Sequence, residues 1–267
     1  ASYASEVLPF DKQNPDGIDY LQQAVAACSE RGIKVHVWMT NFKARSHAPE
    51  DLVAQFDAEG RFCVRNNGVV MDTLCPSDPR NQDLQIDAMV QAAHLPGVAG
   101  IHFDYIRYPG GDTCFCDGCR ERFAAFVGKQ VGDWPADVQQ GGALREQWLD
   151  FRRSNITRVV REVSETVRRE VPDCMISAAV FRNYSQCRDS VAQDWMAWVD
   201  AGYLDVLCPM DYTASHTQFR ALVATQLALV QGKIPCCPGI GLLKGLGPVG
   251  ATRQIQICRE LGADGFV

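Results

Sequence analysis

Two periodicities alternate along this chain. Short apolar runs bounded by turn residues recur at 33–39 (IKVHVWM), 98–104 (VAGIHFD), 174–181 (CMISAAVF), 204–210 (LDVLCPM) and 234–240 (IPCCPGI), and Phe266-Val267 opens another. Runs of this length, several rich in β-branched residues, predict buried strands. Between them apolar residues return every three or four positions, the spacing of a helix with one buried face. Segment 16–31 aligns Ile18, Leu21, Ala24, Val25 and Cys28, and 78–94 aligns Leu84, Ile86, Met89, Val90 and Ala93. Segment 144–170 carries the longest stripe: Trp148, Phe151, Ile156, Val159, Val160, Val163 and Val167. Further helices are expected at 120–131, 191–201, 218–230 and 250–261. Gly32, Gly202, Gly232 and Gly262 follow helical patterns shortly before the next strand, where a left-handed C-cap favours glycine. Residues 50–74 keep neither period and are expected to be irregular, with short extended pieces.

This alternation predicts an α/β fold built from parallel βα units. Six strands are expected, near 36, 101, 177, 207, 237 and 266. A (β/α)8 TIM barrel needs two more. Both would lie upstream of Ala1. The chain therefore reads as one truncated barrel domain over 1–267, a fragment lacking the first two strands and cut in the last. An open doubly wound sheet would carry a glycine-rich phosphate turn after an early strand. Gly239-Ile240-Gly241 followed by Gly245 lacks that spacing and comes late.

Composition narrows the partners. Net charge is -6 and no Lys/Arg-rich block appears, which argues against a nucleic-acid or anionic-membrane surface. No apolar run reaches the ~18 residues that span a bilayer.

In a barrel the reacting groups sit at the C-terminal ends of the strands. The strand near 36 offers Trp38, Asn41 and Lys43 there. The strand near 101 offers Asp104, Arg107 and Tyr108, with His102 on the same face as Asp104. The strand near 177 offers Arg182, Asn183 and Tyr184, and the strand near 207 offers Asp211 and Tyr212. Flat aromatic faces, planar polar groups and paired carboxylates are what a sugar and its glycosidic bond require. Asp104 and Asp211 are the pair chosen. The other register, with Met210 and Tyr212 facing inward, also satisfies strand alternation.

The loop after Asp104 holds Cys114, Cys116 and Cys119 in a CxCxxC pattern, and thiolates at this spacing converge readily on one ion. Tetrahedral zinc needs a fourth ligand. Cys75 is the candidate, with Cys63 in reserve. Cys75 starts from the opposite end of the strand and reaches the rim only if its segment folds back across the top. The other cysteines fall mostly in apolar runs and read as small buried hydrophobes.

The blocks YASEVLPF, GIKVHVW, GIHFDYIRYP, QDWMAWVDAGYLDVLCPMDYT and PGIG resemble glycosyl-hydrolase-like family 10, a group of TIM-barrel proteins of bacterial carbohydrate metabolism. The resemblance runs from about Tyr3 to Val267. It implies that Asp104 ends the fourth barrel strand and Asp211 the sixth, and it leans towards a secreted or periplasmic protein. A second, local resemblance is to family-42 beta-galactosidases, in which a Cys-Pro-Ser before a helix joins a CxCxxC to bind structural zinc. Here Cys75-Pro76-Ser77, Cys114, Cys116 and Cys119 correspond. The resemblance implies glycoside hydrolysis; with the strand-end carboxylates, the chain reads as a hydrolase of an oligo- or polysaccharide, with Asp104 as nucleophile or base and Asp211 as general acid. Trp38, Asn41, His102, Arg107, Tyr108, Asn183 and Tyr212 would bind sugar. The alternative is a carbohydrate-binding barrel without hydrolysis. A zinc-dependent hydrolase is disfavoured, because four thiolates leave the metal no open position.

Overall fold

A computed structural model describes residues 1–242 and 245–267. Its centre is a parallel sheet of β1 (Val35–Thr40), β4 (Val98–Asp104), β5 (Met175–Phe181) and β6 (Val206–Met210), in the order β1-β4-β5-β6. The expected strands near 36, 101, 177 and 207 are thus neighbours in chain order. The register brings Thr40 beside Asp104, His102 beside Ser177, and Phe181 beside Met210. The segment near 237 continues the sheet. Leu207 N donates to Pro235 O, Cys237 N to Leu207 O and Gly239 N to Pro209 O, at 2.7–2.9 Å. Pro209 of β6 and Pro235 have no N–H to donate to the rungs on either side, so this segment keeps a single parallel bridge, between Leu207 and Cys236. Val267 then bonds Pro238 and Ile240.

Helices cover the sheet. α3 (Pro79–His94) and α5 (Arg145–Glu170) pack on each other, and α8 (His216–Val230) packs on α9 (Gly247–Leu261). The expected stripe of α5 is buried along its whole length, from Trp148 to Val167. Phe115, Phe123, Trp134 and Phe151 surround Trp148 with ring centroids 5.1–5.9 Å away. Ile101 and Phe103 of β4 are fully buried, whereas His102 and Asp104, on the other face, are partly exposed. No described helix is long and apolar enough to cross a membrane.

The stretch 50–74 is more regular than its sequence suggests. It forms α2 (Glu50–Ala58) and an antiparallel hairpin of β2 (Phe62–Val64) and β3 (Val70–Leu74). Lys43, in the loop after β1, bridges to Thr73 of β3, and Arg65, just after β2, bridges to Thr113 in the cysteine loop. Phe115 N donates to Val64 O at 2.8 Å. A small antiparallel patch therefore joins the loops that follow β1 and β4. It delivers Cys75, one residue past β3, to the same place.

Candidate active site and metal centre

Asp104 sits at the end of β4 with both carboxylate oxygens held. Trp38 Nε1 donates to Oδ2 at 3.0 Å and Tyr105 N to Oδ1 at 2.7 Å. Trp38 and Asp104 stand on adjacent strands, two register positions apart, close enough for a large side chain to span. Trp38 is 64 % exposed, so its ring presents a face to solvent while its N–H fixes the acid. Tyr105 has φ +55°, a left-handed conformation unusual for a residue with a side chain. That turn aims its amide back at Asp104. Strain of this kind clusters at functional sites.

The inward face beneath Asp104 is polar. His36 lies over Gly100, where a Cβ would come within 2.6 Å of the imidazole, so only glycine leaves room for that ring. His102 Nδ1 is 2.8 Å from Ser177 Oγ, and Ser177 Oγ lies 3.3 Å from Ile101 O. The serine hydrogen goes to the carbonyl, so the hydroxyl accepts from His102 Nδ1–H, leaving Nε2 the acceptor in the neutral ring. Burial pushes both imidazoles below the ordinary histidine pKa.

Arg107 leans over the ring of Phe181 at 4.5 Å and that of Tyr105 at 5.1 Å, and its buried Nε has no hydrogen-bond partner among the described residues. Burial lowers its pKa, offset by Tyr105 and Asp104. A cavity of about 1070 Å³, lined in part by Tyr3, His36, Trp38, Lys43, Asp104 and Tyr105, opens beside β1. A smaller one of about 350 Å³ is lined by Phe181, Arg182, Asn183, Gln186, Met210 and Tyr212, among others. Asn183 caps α6 (Tyr184–Ser190), an element the sequence did not announce, by accepting from Gln186 N.

Three expected site residues lie elsewhere. Asp211 is fully buried, and its Oδ1 accepts from Gln226 of α8 at 2.7 Å. It faces the helix layer, near Cys236 and Cys258, because Met210 and Tyr212 take the inward face of β6. A general acid touching substrate is therefore not what Asp211 can be in this geometry. Burial raises its pKa to about 7, against the lowering effects of Gln226 and Arg182. Tyr108 is also fully buried, its hydroxyl accepting from Asn155 at 3.1 Å and its ring under Arg152 at 4.5 Å. It braces the loop and presents no surface to a sugar. Asn41 is fully buried too; its backbone N–H donates to Asp104 O at 2.7 Å. Tyr212 remains on the rim, 44 % exposed. Tyr105 is the rim residue that spacing alone did not single out as a contact; its place directly after Asp104 was the available signal.

The four cysteines meet. The Sγ atoms of Cys75, Cys114, Cys116 and Cys119 lie within 4.8 Å of one another, and none forms a disulfide. Cys75 Sγ is 3.4 Å from Cys119 Sγ and 4.0 Å from Cys116 Sγ. Those spacings bracket the roughly 3.8 Å edge of a tetrahedron with bonds of about 2.3 Å to sulfur, so the donor set fits zinc. Hydrogen bonds from Cys114, Cys116 and Cys119 hold the Cys75 thiol well below its usual pKa, while burial drives Cys114 and Cys119 up. Such a cluster becomes fully ionised only around a cation. Val64 N donates to Cys114 Sγ at 3.2 Å and Cys119 N to Cys116 Sγ at 3.4 Å, fixing two ligands from the backbone. Cys63 stays outside the cluster, donating to Leu74 O.

Known proteins share this architecture. Glycosyl hydrolase DigH of Escherichia coli K12 is 23 % identical over 246 residues, 79 % of this chain and 52 % of its own length. The chain thus spans about half of the curated relatives it matches. The glycoside hydrolase domain of PgaB (BpsB) from Bordetella bronchiseptica superposes with a TM-score of 0.70 at 15 % identity, covering 90 % of this chain and 71 % of that one. A beta-galactosidase from Halorubrum lacusprofundi gives 0.64 at 16 % identity, covering 100 % of this chain and 47 % of its own. At these identities the structures establish the fold, an α/β arrangement shared with TIM-barrel glycoside hydrolases. The model of the family described as Glycosyl hydrolase-like 10 matches residues 1–257, and the chain belongs to that family.

Proposed function

We propose that the chain is the greater part of a (β/α)8 barrel that hydrolyses a glycosidic bond in an oligo- or polysaccharide, with Asp104 as the reacting carboxylate. The observation that carries this is the setting of Asp104. It ends a central strand and opens on a large cavity. An exposed tryptophan and a strained backbone turn both orient it. Trp38, Tyr105 and Tyr212 supply faces for pyranose rings to stack on, and Arg107 and His102 supply polar contacts. Asp104 then acts as nucleophile or base, the role one carboxylate of a glycosidase pair must fill.

The second reading, a carbohydrate-binding barrel without hydrolysis, is favoured by one specific finding: Asp211 is withdrawn behind the rim. Both readings are tested on the protein with a panel of glycosides. Hydrolysis abolished by Asp104→Asn supports the first. Tight sugar binding with no cleavage of any substrate supports the second.

The cysteine centre is proposed to hold one structural zinc through Cys75, Cys114, Cys116 and Cys119. When bound, the ion supplies a cross-link between β3 and the loop beside Asp104. Arg152 fixes the same loop from below. It is fully buried, and its Nη2 donates to Gly110 O at 2.6 Å and Ser190 O at 3.2 Å. Metal analysis should find about one zinc per chain, lost on Cys116→Ser.

A further inference from the structure

We propose that Arg122 is the counter-cation of the cysteine centre, seated on Gly118 and acting partly through Ser77, so that metal retention depends on a residue that ligates nothing. The inference rests on the zinc reading above.

A dication held by four thiolates is left doubly negative, and the surrounding protein must offset that charge. The N-terminus of α4 (Asp117–Val127) faces the cluster and contributes a partial positive charge. Arg122 adds a whole one. It lies three residues after Cys119 on α4, hence on the same helix face. Its Nη2 is 3.7 Å from Cys75 Sγ and its Nε donates to Ser77 Oγ at 3.1 Å. A guanidinium can only donate, so Ser77 Oγ is the acceptor there. The serine's own hydrogen is then free for sulfur, and Cys119 Sγ at 3.1 Å and Cys75 Sγ at 3.3 Å are in reach. Arg122 thus acts on one sulfur directly and relays through Ser77 to a second.

The seat is specific. A Cβ on Gly118 would lie 2.7 Å from Arg122 Nη1 and 2.8 Å from Nη2, so the glycine inside CDGC leaves space for the guanidinium. Among the described residues no carboxylate forms a salt bridge with Arg122. Its neighbour Asp78 is engaged by Arg80 at 2.7 Å. A half-buried guanidinium without a carboxylate, directed at sulfur and at a serine bonded to sulfur, has charge compensation of the cluster as its task.

The test titrates zinc-loaded full-length protein with a chromophoric zinc chelator. Arg122→Gln should surrender zinc about 10- to 100-fold more readily than the parent, the usual cost of losing an outer-shell partner. Ser77→Ala and Gly118→Ala should shift in the same direction, and Arg122→Lys should fall between. Circular dichroism monitors folding. The cobalt-substituted forms should keep a thiolate-to-metal charge-transfer band, showing that the four ligands remain. Should Arg122→Gln fail to fold, Ser77→Ala and Arg122→Lys carry the test, and parental retention in both would overturn the proposal. Arg122→Gln holding zinc like the parent while Cys116→Ser loses it would overturn the role of Arg122 and leave the metal centre standing. A parent protein that takes up no zinc would overturn both.

Discussion

Asp211 keeps its carboxyl where water does not reach, and its charge state feeds into the stability of the chain. Its folded pKa, about 7, lies above that of an exposed aspartate. Between roughly pH 4 and pH 7 the folded chain holds a proton that the unfolded chain has released. Stability from this group is full below that window, falls across it and is lost once pH has risen through about 7, where the dependence levels off. Asp211→Asn removes the titration. Relative to the parent, the variant should gain stability from pH 4 to pH 8, by at most about 4 kcal/mol. Urea denaturation at several pH values measures it; a difference that stays flat with pH would contradict the burial argument. The same residue marks the limit of reading a strand end from sequence. Asp104 was legible because the strand leading to it is continuous and the next residues are aromatic and cationic. At 210–212 each of the two registers offers plausible inward residues, and a shift of one position exchanges the faces. What decides is Gln226, fifteen residues on, which draws Asp211 towards α8.

Among the elements, α5 was the most readable, because seven apolar positions keep helical spacing over 26 residues. Trp148→Ala should cost about 3–5 kcal/mol, since a ring packed by four aromatic neighbours leaves a cavity that cannot collapse. Chemical denaturation checks this. α2 carries no legible apolar stripe for a physical reason: Phe56 is its single buried residue. The hairpin is no more legible, because its strands are three and five residues long and are held partly by the loops after β1 and β4. Its consequence is functional. The cysteine spacing pointed to a cluster, but the route that brings Cys75 to the rim runs through this hairpin. Removing the metal by chelation, or replacing Cys116 by serine, should lower the melting temperature and raise amide exchange across 105–119. Unchanged exchange there would show that Arg152 and the hairpin suffice without a metal.

Considered whole, the described sheet has an edge. β1 has a partner on one side only, and α1 (Tyr20–Ser29) has no buried residue although it carries Leu21 and Val25. A complete barrel would cover both surfaces with strands and helices outside residues 1–267. A version carrying them should melt higher and bind less of a hydrophobic dye than residues 1–267 alone. Equal behaviour of the two would argue that β1 is a natural edge.

The central claim is that Asp104 performs the chemistry. The most direct measurement compares glycoside turnover by the protein and by its Asp104→Asn variant, with folding of both checked by circular dichroism. Asparagine keeps the size of the side chain and can still accept from either Trp38 or the Tyr105 amide, though not both, and it can act as neither nucleophile nor base. The account predicts a loss of kcat of several orders of magnitude with sugar binding largely kept. Parental turnover in the folded variant would contradict it.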